Sequence, residues 1–454
     1  MLSVRPTRLL HAVRSRRLAA LRLLRAVPAA CSARSAAVPA ADPARAAARA
    51  APARAAAPSS ASVRVAAALA VVALAAGAAG CGSGAGRIGR SQSGNADDQV
   101  AMPPSSPARV LGDGSTSDTG PQPHQPVPYR LVTGEVPPQF VVFSFDGAAE
   151  DARKLFSRFR AAGGRANAAM TYFLSGASLL PAGRADLYVP PGGAARPAGL
   201  GSDDVDSIAA TLREMRLAWR DGSEIGTSFN ARTCAQAAAG SDRWTSAEWG
   251  SEIRQAESFV TRWKSDSGLT DEDPLPFEYA KVLAGGRAPC PGGGAGLLPA
   301  AAAAGFRYDA SGTGGRQMWP STAEGIWEFP LPSVPVPGGT RQAPATDAGP
   351  LGAGLDRQQV RDALTAAFQR AYRGNRAPLF VGAHLATAGD AYLRGVEDTM
   401  KDVCARPGVR CVSFRQLADW LDAQDPRVLA RLRTLAVGRA PAPGWKEFVA
   451  AAKR

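Results

Sequence analysis

The hydrophobic pattern of the chain changes character at Phe140. From there a continuous apolar run of strand length, Phe140–Phe145, ends in Asp146, and residues 151–162 follow with helical spacing that puts Leu155, Phe156 and Phe159 on one face. The same alternation then repeats. Residues 170–174, 224–227, 306–310, 326–330, 378–382 and 409–414 read as strands, and residues 207–220, 246–264, 297–304, 356–372, 392–404 and 414–423 as helices. Ser246 opens its helix with Glu248 early, and Gly374 stops the one that starts at Asp356. Strands and helices alternating over about 290 residues predict a parallel sheet, and the number of units fits a barrel better than a short open sheet. The polar residues of interest fall at strand ends, which in a barrel is the catalytic face.

Upstream the pattern is different. Twelve arginines and one acid, Asp42, give the first 80 residues a charge of 12 − 1 = +11 out of the total +14. The remainder therefore carries only +3, and nucleic acid is not the expected partner despite the basic composition. Residues 63–80 combine one arginine with a short apolar run and small residues ahead of Cys81, which reads as a secretory signal too short for a membrane span. Ala78-Ala79-Gly80-Cys81 resembles a lipobox, so lipidation on Cys81 and anchoring to the outer face of a bacterial membrane are expected. Val63 offers an alternative start, which makes residues 1–62 an Ala/Arg-rich leader from a start placed too early. Residues 82–135 are rich in Gly, Ser and Pro without hydrophobic periodicity and read as a disordered linker. Such a tether spans roughly 40 Å. Residues 136–425 make the main domain and 426–454 a C-terminal helical tail.

Cysteines 234, 290, 404 and 411 remain within the domain, an even number in an exported context, so disulfides are expected. Cys404 with Cys411 would close a short loop around Pro407-Gly408. Cys234 with Cys290 is the complementary pairing.

Four segments carry the candidate chemistry in order: Phe140–Gly147 (FVVFSFDG), Glu224–Cys234 (EIGTSFNARTC), Gly285–Cys290 (GGRAPC) and Val381–Ala386 (VGAHLA). With GFRYDASG, WEFPLP and VRCVSFRQLADWL between and after them, this set resembles the polysaccharide deacetylases, the NodB-homology family, and its actinobacterial exported lipoproteins in particular. The resemblance covers residues 136–424. It implies a deformed (β/α) barrel of about seven parallel strands that removes N- or O-acetyl groups from peptidoglycan or chitin-like glycans with a divalent metal, commonly zinc.

Carried over by position, the resemblance makes Asp146 the base, His384 the acid and Arg287 the residue that orients the base. Taken alone, Asp146 reads more readily as a helix cap or barrel-end hydrogen-bonding residue, and His384 as a core histidine. The three metal positions fall on Gly147, Ser228 and Arg232. Glycine offers only backbone, a serine hydroxyl is a poor zinc ligand, and a guanidinium repels a dication. Asp151, Glu150 or Asn230 could contribute an oxygen, but none restores a zinc site. Arg232 is expected either at the surface or as a cation filling the metal pocket. Trp244 and Trp319, in loop contexts, are the candidate sugar platforms. The expectation is a glycan-binding cell-envelope protein with lost or reduced catalysis and no cofactor. The alternative is an active deacetylase with a non-standard site, for which zinc would be retained. In both, the partner is a cell-wall or other acetylated glycan.

Overall fold

The computed structural model describes residues 108–452 except 194, 203, 232–239 and 291. The chain divides into two units, residues 1–95 and 96–454, and every described residue lies in the second, whose hydrophobic clusters are built from its own side chains. The expected lipidation site at Cys81 and the signal segment lie outside the described residues, as do Arg232 and Cys234. Among the described residues no helix is long and apolar enough to cross a membrane.

A curled, mainly parallel sheet organises the domain. Its strands are β1 (Gln139–Asp146), β2 (Thr171–Ser175), β3 (Glu224–Phe229), β4 (Gly285–Gly286), β5 (Tyr308–Asp309), β6 (Ile326–Glu328), β7 (Leu379–His384) and β8 (Val409–Cys411). Along the sheet they run β7, β1, β2, β3, β4, β5, β6, all parallel, with Thr322–Ala323 antiparallel at the far edge. One edge of β1 is shared, β8 pairing with residues 139–141 and β2 with residues 144–146, while β7 pairs with residues 141–146 on the other edge. Eight strands are therefore parallel, against about seven expected. Helices α1 (Leu155–Ala166), α2 (Val205–Arg220), α3 (Ser246–Thr261), α4 (Arg357–Arg373), α5 (Asp390–Cys404) and α6 (Phe414–Asp422) make up the remaining large elements.

Side-chain alternation sorts the two sides of β1. Val141, Phe143 and Phe145 pack in the cluster shared with α1, α4 and α5, while Phe140 and Val142 pack inside the curl with Phe173, Tyr308, Phe329 and Phe380. Phe414, at the start of α6, plugs that interior, its ring stacked on Phe329 at 5.2 Å and set edge-on to Phe380 at 5.2 Å. A run apolar at every position but Ser144, whose hydroxyl donates to the Val381 carbonyl at 3.1 Å, is what two buried faces require.

The helix starts follow capping chemistry. Thr245, one residue before the expected Ser246, caps α3 in a reciprocal box with Glu248, and Asp356 does the same for α4 with Gln359. The expected 246–264 helix is broken at Arg262, and a separate short helix continues over Trp263–Ser267. Cys404 and Cys411 are joined by a disulfide with Cα atoms 5.6 Å apart. Cys290 is disulfide-bonded as well.

Two sequence expectations are corrected here. Residues 108–134, assigned to a disordered linker, are ordered. Arg109–Leu111 and Thr116–Asp118 form a hairpin whose Ser117 N–H donates to the Leu275 carbonyl at 2.8 Å, and the Ser115 carbonyl accepts from the Trp263 indole at 2.7 Å. A proline-rich strap then crosses the N-terminal ends of the strands, where Gln122 donates to the Ser223 carbonyl at 2.7 Å and Gln424 donates to the Tyr129 carbonyl at 2.8 Å. Local composition misses this because the strap is held by hydrogen bonds to distant segments, its own Gln122 to the Ser223 carbonyl and Gln424 to its Leu131 N–H and Tyr129 carbonyl. The second correction concerns Trp244 and Trp319. Both are only 4% exposed, Trp244 packed edge-on against Trp249 and Trp319 stacked on Trp420 with its indole donating to the Asn375 carbonyl at 2.8 Å. Neither presents a face to sugar. Each fills the core between elements that the linear sequence does not bring together.

Candidate functional site

The inner-face alternation that buries Phe140 and Val142 continues through Ser144 to Asp146, at the C-terminal end of β1. On β7 the register pairs His384 with Asp146, and His384 follows Phe380 and Gly382 on the same face. Arg287 leaves the end of β4, its N–H donating to the Thr227 carbonyl at 2.9 Å. Three residues from sequence-distant segments thus reach one layer above the plugged interior.

The geometry is that of a chain of alternating charges. The Arg287 guanidinium lies 3.1 and 3.4 Å from the two Asp146 carboxylate oxygens through Nη1, donates from Nε to the Ala310 carbonyl at 3.0 Å, and sits 4.8 Å above the centre of the Phe173 ring. Both partners are buried, with side-chain exposures of 6% and 9%. His384 Nε2 stands 3.9 Å from Asp146 Oδ2, too long for a direct hydrogen bond. On the other side of the ring, His384 Nδ1 lies 2.9 Å from Asp347 Oδ1, which also accepts the His384 backbone N–H at 2.9 Å. The hydrogen bond to Asp347 holds the imidazole pKa above its usual value, with the carboxylates of Asp146 and Asp347 acting in the same direction and burial and Arg287 opposing.

Asp347 was not anticipated. It is delivered by a small sheet in which Leu331–Pro335 pairs with Thr313–Gly315 and Gln342–Pro344. That sheet leans on β7, where the Gly382 N–H donates to the Ala345 carbonyl at 2.9 Å. The loop closes back on Asp347 through Gly352, where an added Cβ would fall 1.8 Å from the Asp347 carbonyl oxygen. Nothing local in the Pro/Gly-rich stretch marks Asp347, since its role comes only from reaching His384 across the fold.

Beside this chain lies a cavity of about 490 Å³, within the range of small-ligand pockets. Asp146, Gly147, Ser228, Arg287 and His384 all line it, and Glu150, Asp151, Ser175, Ser202 and Thr211 extend it toward α1 and α2. Seven of the lining residues carry neutral hydroxyls. Arg153 laces two of its loops together, donating from Nη1 to the Leu385 and Ala386 carbonyls at 2.8 and 2.9 Å and from Nη2 to the Ala388 carbonyl at 2.9 Å.

The described residues that the resemblance would place at metal positions, Gly147 and Ser228, do not suit a divalent cation. Gly147 has a left-handed backbone (φ 66°) and no side chain, the Ser228 hydroxyl donates to the Phe173 carbonyl at 3.3 Å, and the Asp146 carboxylate is held by Arg287. Of the substitute oxygens considered, Asn230 is fully buried with its side-chain oxygen accepting the Ala177 N–H at 2.9 Å, so it is excluded as a ligand in this cavity. Glu150 accepts from the Ser157 hydroxyl at 2.5 Å and the Ser157 N–H at 3.1 Å. Asp151 accepts the Arg153 N–H at 2.8 Å. Among the described residues no group of three His, Cys, Asp or Glu side chains is placed to hold a metal.

No family model and no curated protein matches the sequence. The fold is similar to those of several solved structures. A Mycobacterium smegmatis protein assigned to the polysaccharide deacetylases aligns at 15% identity over 65% of this chain and 94% of that one, with a TM-score of 0.39. A mutant of a CE4-family pseudoenzyme with restored enzymatic activity aligns at 10% identity over 65% of this chain and 72% of that one, TM-score 0.34. The peptidoglycan deacetylase PdaC from Bacillus subtilis aligns at 9% identity over 63% of this chain and 92% of that one, TM-score 0.34. These are likenesses of architecture and assign no chemistry to this chain.

Proposed function

We propose that this chain is a cell-envelope lipoprotein, anchored through Cys81 on the outer face of an actinobacterial membrane, whose deacetylase-like barrel binds an acetylated glycan without the family's metal-dependent hydrolysis. The observation that carries the reading is what stands beside Asp146, a glycine and a carbonyl-bound serine hydroxyl where the metal-dependent reaction needs ligands. In the metal-dependent reaction a carboxylate at this position takes the proton of the attacking water beside a bound dication. Here it is bridged by Arg287 next to a glycine and a serine that cannot ligate. What remains is a cavity of sugar size, partly lined by hydroxyls, at the C-terminal ends of parallel strands.

A second reading, slow deacetylation by a metal-free route, is favoured by the Asp347–His384 contact. An imidazolium whose Nδ1–H is held by Asp347 presents Nε2–H to the cavity, where it would protonate a leaving amine or alkoxide while Asp146 accepts the proton of water. Calorimetric titration of the purified protein with chitin and peptidoglycan oligomers, in parallel with metal analysis and acetate release, separates the readings. Oligomer binding without stoichiometric zinc or acetate supports the binding function. Chelator-sensitive acetate release would refute it, and acetate release that resists chelators and disappears in His384→Gln would establish the second reading.

A further inference from the structure

The end of the barrel opposite the cavity carries a feature that glycan binding does not use. The strap over residues 121–137 crosses the N-terminal ends of the strands, fixed by Gln122 and Gln125 to the carbonyls of Ser223 and Gly222, just ahead of β3. Its inner residues are buried, Leu131 among them, yet Val127 is 85% exposed, Val132 61% and Val136 42%. Those three are half of the large apolar side chains that the described domain exposes, and all project from one strap. Single exposed valines are ordinary, whereas three on one surface segment are a patch.

The same face is basic. Arg410, at β8, borders two shallow grooves, one shared with Val127 and the other with Val136, Tyr129 and Arg376. Its guanidinium lies over the Tyr129 ring at 5.2 Å, without a carboxylate partner among the ion pairs of the described residues, and Arg130 is exposed one residue along the strap. Within residues 121–138 the charged side chains are Arg130 and Glu135; Asp425 lies near Arg130 and Lys446 against Gly134, so with Arg376 and Arg410 these make four cations to two anions.

We infer that this face rests on an anionic phospholipid bilayer, with the strap valines entering the headgroup layer and Arg130, Arg376 and Arg410 meeting lipid phosphates. Interfacial binding of this kind combines buried apolar area with attraction to anionic lipid. A purely polar anionic polymer would use the arginines and leave the valines in water. Because the strap covers the N-terminal ends of the strands and the cavity opens at their C-terminal ends, this docking turns the cavity away from the membrane. The inference concerns a surface remote from the glycan site and stands if the reading of that site fails.

The test uses residues 96–454, a separate unit with its own core, which lacks the apolar signal segment, and co-sedimentation with vesicles of phosphatidylcholine alone or mixed with phosphatidylglycerol. Binding is expected only to the mixed vesicles, falling with salt. Arg130→Gln, Arg376→Gln and Arg410→Gln together should weaken it by roughly fivefold per residue, on the order of a hundredfold in all. Val127→Ser, Val132→Ser and Val136→Ser together should also weaken it while leaving the salt dependence in place. A control that replaces the exposed Arg213, Arg254 and Arg262 of the outer helices by Gln should bind like the parent. Absence of binding to mixed vesicles, or equal loss in the control, overturns the inference. Binding to soluble polyglycerol phosphate with none to vesicles overturns it too, and assigns the face to an anionic polymer.

Discussion

Replacing Arg287 by Met tests the reading of Asp146 most directly, because it removes the charge while keeping an unbranched apolar stem. In the native domain Asp146 and Arg287 are almost fully buried, and the guanidinium also bonds the Ala310 carbonyl and covers the Phe173 ring. Removing one member of a buried pair leaves the other charge uncompensated, which costs about 3–5 kcal/mol. The stem of Met recovers part of the packing on Phe173, so the lower half of that range is expected. Asp146→Leu alone should cost a similar amount by stranding the arginine. The double change should cost less than either single one, because the mutual desolvation penalty disappears with the pair. Urea unfolding of residues 96–454 followed by tryptophan fluorescence reads these differences as midpoint shifts at constant slope. If Arg287→Met costs under about 1 kcal/mol, the pair lies in far more solvated surroundings than the structure gives it, and the argument that Arg287 occupies Asp146 fails.

Other perturbations follow from the same geometry. Burial raises the Asp309 carboxyl from 3.8 to about 6, opposed by hydrogen bonds from Ser311. The folded state therefore holds that proton more tightly than the unfolded state. Its stabilising contribution is complete below about pH 4 and is lost as pH rises through 6. Asp309→Asn should accordingly be more stable than the parent at pH 7 and similar at pH 4; a parent stability that is flat between those limits would contradict it. Asp347→Asn should lower the pKa of His384 toward the ordinary imidazole range, seen by proton NMR against His124, the other histidine of residues 96–454. An unmoved titration would remove Asp347 from the site. Trp319→Ala should destabilise the domain by about 3–5 kcal/mol, as expected for a buried tryptophan, and leave oligomer affinity unchanged in titrations below the unfolding transition. Ser228→His with Arg232→His should create zinc affinity measurable by calorimetry where either change alone does little, since one imidazole is not a metal site. Failure of the double change to bind zinc would show that the positional match of Arg232 is wrong.

The apolar runs and helical periods determined most of the architecture. Residues 140–145, apolar at every position but Ser144, read as a strand buried on both faces, and the order of strand and helix fixed a parallel curl with Asp146, Arg287 and His384 at its C-terminal end. Such features are local, because period and breaker residues act over a few positions. The unsuitability of Gly147 and Ser228 as metal ligands was equally local, being a matter of side-chain chemistry. Tertiary structure alone decided where polar groups found partners. Asp347 reaches His384 from 37 residues away by way of a small sheet against β7, the strap is ordered by bonds from its Gln122 and Gln125 to the Ser223 and Gly222 carbonyls and from Gln424 to its Tyr129 carbonyl, and Trp319 is buried because Trp420 lies against it from the other end of the domain. Each depends on a contact between segments far apart in the chain. A buried hydrogen bond or ring contact satisfies whatever group the fold brings near, and the sequence of one partner carries no mark of the other.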